Sequence, residues 1–446
     1  MYNNRWINKE RINGTIVKDH LMLEQVIEIL DAYFCKLDKD INDGNIDDCI
    51  LSDYILVMSE GMELFREKER GLDNIFLAVN RIKKGFEQKG IPQTVGLYGG
   101  GISDFGYSLN VMSLATDTFK KFTNTYNDIA YESISDFCDF VLAEIYTIKE
   151  SYYDVISGLA GSMIYLVKCP ENKKRNFTII KVSSCLESII TGVHPFGNAM
   201  IENWFISNDN IYDEELRMRY PRGLFNFSVS HGLIGPIFAL AKASDIVMPK
   251  YVSLKVVENA LETYREYSRR NEDGVTVWPG QLDFDSYTAK RTDGSDKRQS
   301  WCYGSIGITG ALYTISKYIN DKSLQEFACL NSERIAGCPI DEYELESPII
   351  CHGYAGMLLI LVKIYRDKNS DLIYMQIIRI VKKMMELYNP GLGYGFRDVR
   401  YDIIENIVQK SFVDDNSFLE GSLGIVIALL SLVKCNVYSW DRLLLN

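Results

Sequence analysis

The chain has 446 residues, of which 47% are hydrophobic and 24% charged, and carries a net charge of −12. That length is ample for a large core, while the acidic balance excludes a nucleic-acid binder, which needs a basic face against phosphate. The N-terminus, MYNNRWINKERING, has no apolar signal-peptide core, and no apolar run approaches the ~20 residues that span a bilayer, so a cytoplasmic protein is expected.

The ten cysteines are irregularly spaced, and a reducing compartment keeps such residues as thiols. Most sit in apolar helical patterns such as DFCDFVLAEI, where cysteine behaves as a small hydrophobe. Histidine is scarce, with only His20, His194, His231 and His352, and the first two have no motif around them.

In chain order, LMLEQVIEILDAYFCKLDKDI (21–41) predicts a first helix, with a second after it. LYGGGISDFGYSLNV then carries a degenerate G-x-x-G, in which Asp104 stands where the second glycine belongs, a departure read as structural. Five full copies follow: DVISGLAGSMIYLV, SVSHGLIGPIFALA, SWCYGSIGITGALYTI, IICHGYAGMLLILV and SFLEGSLGIVIALL. Their first glycines, with that of the degenerate copy, are Gly101, Gly158, Gly232, Gly304, Gly353 and Gly421. Each opens an apolar stretch that must be buried, and an amphipathic helix comes next, as at 253–270 and 372–388. Two irregular segments, about 193–230 and 271–300, interrupt the pattern; GVTVWP in the second reads as a strand, and together they are expected to form a small accessory element that guides a peptide.

Buried and amphipathic helices alternating six or seven times predict an all-α fold, an α/α toroid of inner and outer helices with a small β-containing insertion, as one domain over 1–446. The glycines let the chain turn sharply into each inner helix. Residues before the first glycine are then equivalent: Gly100, Ser157, His231, Tyr303, His352 and Glu420, at one end of the ring. Cys302 and Cys351 each stand two residues before a first glycine. Alone, a Cys–His dipeptide reads more simply as buried filler beside a capping histidine. The repeat gives Cys302, Cys351 and His352 a reason to meet, and two thiolates with one imidazole suit a Zn²⁺ with an open fourth position.

WCYGSIG, CHGYAG and SHGLIG, with FLEGSLG near the end, resemble the lanthionine synthetase C family, the cyclases of lantibiotic biosynthesis, from about residue 95 onward. The resemblance implies the toroid, one zinc per chain held by Cys302, Cys351 and His352, and thioether formation in a dehydrated precursor peptide. It also implies a separate dehydratase and a peptide exporter as partners, with association at the inner face of the membrane through their complex. His231, Asp154, Arg298 and Tyr303 fall on positions that the family uses around the metal.

The chemistry so implied is a Michael addition of a cysteine thiolate to dehydroalanine or dehydrobutyrine, followed by protonation of the enolate. His231 is the expected acid, with a pKa suited to neutral pH, and Asp154 its orienting partner. Asp154 reads equally as a helix N-cap, Arg298 as a solvated residue of the charged loop DGSDKRQS, and Tyr303 as packing. One alternative keeps the zinc but binds thiol peptides such as glutathione without cyclising them. A prenyltransferase-like centre would use Cys, His and Asp ligands, and a glycosidase would need paired carboxylates at the helix mouths.

Overall fold

The computed structural model describes residues 5–247, 252–292, 298–404 and 407–445. Among them, fourteen helices of ten residues or more follow one another: α1 (His20–Asn42), α2 (Leu51–Gly61), α3 (Lys68–Lys89), α4 (Ile102–Thr116), α5 (Lys120–Ala143), α6 (Leu159–Lys168), α7 (Lys173–Thr191), α8 (Ile234–Ser244), α9 (Leu254–Glu266), α10 (Ser305–Tyr318), α11 (Lys322–Gly337), α12 (Tyr354–Lys368), α13 (Asp371–Leu387) and α14 (Ser422–Val433). Even-numbered helices are apolar on most sides; every residue of α2 and of α14 is buried. Odd-numbered helices bury one face, as α13 does with Ile373, Ile377, Ile380, Val381 and Met384. Aspartate and asparagine start several of them: Asp19, Asn172 and Asp321 accept the N–H groups of Met22, Arg175 and Leu324.

The chain forms two compact units, and the division falls inside α4. The first comprises Met1–Ile91, Ser108–Lys120 and Pro339–Trp440; the second comprises Pro92–Tyr107, Lys121–Cys338 and Asp441–Asn446. In the first, α14 packs between α12 and α2, so the last buried helix of the chain meets the first. The N-terminal segment reinforces that meeting, since Ile16 N–H donates to the Leu432 carbonyl at 2.8 Å. Below it lies a buried ion pair: Lys434 Nζ stands 3.1 Å from Glu60 Oε2, and Glu60 Oε1 accepts from the Ser439 N–H and hydroxyl. Lys434→Met leaves the Glu60 charge without its cation in a dry interior, and is expected to lower unfolding stability by about 3–5 kcal/mol in urea titrations. In the second unit, α8 packs between α6 and α10, with α7, α9 and α11 against them.

Eight strands are described, all in two-stranded antiparallel sheets. β1 (Val193–Phe196) and β2 (Ala199–Glu202) form a hairpin. β3 (Leu224–Asn226) pairs with β6 (Gln281–Asp283), joining the two irregular segments. β4 (Arg269–Arg270) pairs with β5 (Thr276–Val277), which is the strand expected in GVTVWP. The helix expected over 253–270 therefore stops at Glu266. Asn271 accepts the N–H groups of Asp273 and Val275 through its side chain, and Gly274 adopts φ +75°, so a turn takes over from the helical pattern. The fourth sheet, β7 (Asp398–Ile404) with β8 (Ile407–Val413), lies in the first unit and was not expected from the sequence. Residues 293–297 of the charged loop lie outside the described residues.

Candidate active site

The G-x-x-G motif has a steric cause that recurs in each repeat. The chain before each buried helix folds back so tightly that a Cβ on Gly158, Gly232, Gly304 or Gly421 would lie 2.2–2.5 Å from the backbone nitrogen four residues earlier. A Cβ on the second glycine would strike the carbonyl three residues before the first: 2.2 Å for Gly161, 2.0 Å for Gly307 and 1.9 Å for Gly424. The residue four before the first glycine often caps the turn. Asp154 Oδ1, Ser228 Oγ and Ser300 Oγ accept the N–H groups of Ser157, His231 and Tyr303. Backbone bonds then stitch one loop to the next: Val155 N–H to the Ser230 carbonyl, and Val229 N–H to that of Cys302 at 2.7 Å. Within each unit, tight turns stitched side by side bring neighbouring loops together.

In the second unit this brings together His231, Asp154, Tyr303 and the backbone of Cys302. His231 Nδ1 stands 2.6 Å from Asp154 Oδ2. Asp154 is buried, and its other oxygen accepts the N–H groups of Ser157 and Gly158 at 2.7 and 2.8 Å. The N-cap reading and the orienting reading of Asp154 thus both describe real contacts, one per oxygen. Burial would lower the pKa of His231, but the hydrogen bond and charge of Asp154, with the charges of Glu150 and Cys302, outweigh it and raise the group to about 9. His231 is an imidazolium at neutral pH, its Nδ1–H donated to Asp154 and its Nε2–H left to give. The rings of His231 and Tyr303 lie 6.5 Å apart. Cys302 is buried, with Ser300 Oγ 3.6 Å from its sulfur. Arg298 is exposed beside the undescribed part of its loop.

Cys351 and His352 belong to the first unit, where Cys351 N–H donates to the Leu419 carbonyl of the next repeat. His352 Nε2 lies 3.2 Å from Asp398 Oδ1 on β7. Asp398 also accepts from Ser347 Oγ at 2.8 Å and Arg400 Nε at 2.7 Å, and Arg400 reaches Glu420 at 3.0 Å. Burial would raise the pKa of Asp398, but hydrogen bonds from His352, Arg400 and Ser347 prevail and bring it to about 2. A carboxylate only accepts, so Nε2 faces Asp398 with a proton and Nδ1 is the nitrogen left for a metal.

One known family matches the chain. The model of the family described as lanthionine synthetase C-like protein matches residues 56–445. The chain belongs to that family. A curated relative, the nisin biosynthesis protein NisC of Lactococcus lactis subsp. lactis, is 24% identical over 307 residues, covering 65% of this chain and 68% of that protein. The solved structure of a nisin cyclase superposes with a TM-score of 0.75 at 20% identity, over 92% of this chain and 96% of that one. The fold is therefore the all-α toroid that the repeats predict.

Of the expected zinc ligands, Cys302 falls in the second unit and Cys351 with His352 in the first. Among the described residues, no group of three or more His, Cys, Asp or Glu side chains stands gathered as a ready-made metal site. The donor set itself suits Zn²⁺: two soft thiols and an imidazole whose remaining nitrogen is set by a buried carboxylate, the usual outer partner of a metal-bound histidine. Asp398, Glu150 and Asn226 were missed from the sequence. Glu150 lies one helical turn before Asp154, a spacing that offered a signal; Asp398 and Asn226 sit on strands with no motif around them. Replacing Asp398 by Asn should weaken zinc binding by about tenfold or more, read in a chelator competition, because the ring loses its anionic acceptor.

Proposed function

We propose that this chain is a peptide cyclase that closes lanthionine and methyllanthionine rings in a dehydrated lantibiotic precursor. The observation that carries the reading is the His231–Asp154 pair, an acid held beside the Cys302 loop in a member of this family. Cys302, Cys351 and His352 would hold one Zn²⁺. A bound zinc lowers the pKa of a substrate cysteine, ordinarily near 8.5, so that its sulfur is available as thiolate at neutral pH.

The thiolate attacks the β-carbon of dehydroalanine or dehydrobutyrine, the S–C bond forms, and the C=C electron pair moves onto the α-carbon and its carbonyl oxygen. His231 delivers its Nε2 proton to the α-carbon, and Asp154 holds the ring by Nδ1 throughout. The proton lost by the thiol balances the one delivered, so the product is an isomer of the substrate. Tyr303 and Arg298 stabilise the enolate oxygen as it gains charge. The substrate comes from a separate dehydratase, and the reaction belongs in the cytoplasm, at the membrane's inner face through a complex with that enzyme and an exporter. Among the described residues no helix is long and apolar enough to cross a membrane, so such placement would rest on the partners.

Because cyclisation conserves mass, the test is thiol alkylation of a dehydrated precursor peptide before and after incubation with the protein. One alkylation lost per ring, with unchanged parent mass, supports the reading. Zinc-loaded protein that binds the peptide and leaves every thiol alkylatable points instead to a thiol-peptide binder.

A further inference from the structure

We propose that Asn226, anchored on Glu150, is a positioning residue that turns the Tyr303 hydroxyl proton toward the reacting peptide. The inference rests on the cyclase reading and deepens it by two residues outside the expected set. Asn226 is fully buried on β3, the strand through which the insertion pairs with itself. Its Oδ1 accepts the Ser228 N–H at 2.9 Å, and a backbone N–H can only donate, so the orientation of the amide is settled. The NH₂ group then faces two acceptors, Glu150 Oε1 at 2.7 Å and Tyr303 Oη at 3.2 Å. Glu150 and Asn226 are 76 residues apart in sequence, so this contact is made by the fold and not by a local turn.

The consequence falls on Tyr303. Its oxygen receives a hydrogen from Asn226 and has the Ser228 hydroxyl as a second partner, and with both places taken the phenol's single proton leaves in another direction. A phenol ordinarily titrates at about 10, so it is a neutral donor at working pH. Tyr303 precedes Gly304 as His231 precedes Gly232, and the stitched loops set the two rings side by side. A donor there meets the carbonyl oxygen that becomes negative while His231 protonates the neighbouring carbon. Without Asn226 the hydroxyl keeps only Ser228 to orient it, and Glu150 loses the amide that shields Tyr303 from its charge. The insertion thereby contributes to the chemistry through one side chain that acts on Tyr303.

The test compares wild type, Tyr303→Phe, Asn226→Ala and the double variant in ring closure, with zinc content and melting temperature as controls. Tyr303→Phe should slow closure by roughly a hundredfold, and Asn226→Ala by about tenfold or more. The double variant should be no slower than Tyr303→Phe alone, because Asn226 acts only through that hydroxyl. Multiplying losses in the double variant overturn the proposal. Should Asn226→Ala fail to fold, Asn226→Asp keeps the Ser228 contact while accepting where the amide donated, and the same loss is expected. In protein labelled with ¹³Cζ-tyrosine, the Tyr303 resonance, assigned by its absence in Tyr303→Phe, should move in either Asn226 variant; an unmoved resonance also overturns the proposal. If wild type closes no ring, the cyclase reading fails and this role fails with it, and a Tyr303 resonance that still responds to Asn226 identifies that as the cause.

Discussion

Metal analysis of the purified protein will return about one zinc per chain, and Cys302→Ala and Cys351→Ala will each lose it together with ring closure. Each cysteine stands two residues before a helix-opening glycine, in a turn too tight for any other residue at the glycine. Backbone geometry therefore survives either substitution, and what is lost is one soft anionic donor of three. Two remaining ligands hold zinc poorly, and a substrate thiol without the metal is mostly protonated at pH 7. Loss of several kcal/mol of charge stabilisation corresponds to a fall in rate on the order of a thousandfold. His352→Ala should behave likewise. Full zinc content in both cysteine variants would remove Cys302 and Cys351 from the ligand set, and with them the mechanism.

Legibility from sequence followed the range of the interactions. The repeats could be read because their cause is local: each G-x-x-G answers a clash within eight residues, and the apolar run after it records burial on all sides. His231, Tyr303 and His352 before their glycines and Asp154 four before Gly158 are tied to that local frame, so their places could be read with it. Asp398 was invisible, since it reaches His352 from a strand 46 residues later, and nothing in D-V-R-Y-D-I-I sets one of its aspartates apart as a partner for a histidine. Asn226 is likewise one residue of a three-residue strand, meaningful only once the fold brings Glu150 to it. The shortened helix before Arg269 shows the opposite limit. A helical period runs on paper to Arg270, but the turn built on the side-chain-to-backbone bonds of Asn271 ends the helix at Glu266.

The second large effect is a pH dependence centred on His231. Ring closure by wild type should lose its acid only as pH rises through about 9. Burial alone would pull this histidine down, so the elevation depends on the Asp154 bond and charge first, then on Glu150 and Cys302. The raised pKa makes the protonated form the favoured one: it is complete below the ordinary imidazole value and disappears as pH climbs past the raised one. Asp154→Asn keeps an oxygen for the Ser157 and Gly158 N–H groups, so the turn stands, but removes the anion facing Nδ1. His231 should then titrate toward about 6.5. The two proteins would be protonated to similar extents at pH 6, while at pH 8 the variant would be slower by roughly thirtyfold from titration alone. Substrate thiol ionisation is common to both and cancels in the ratio. His231→Ala should cost about a hundredfold or more at every pH and erase the difference that Asp154 makes. A wild-type to Asp154→Asn ratio that stays flat from pH 6 to pH 9 would mean that Asp154 only ties its own turn, and that the proton reaches the α-carbon from another group.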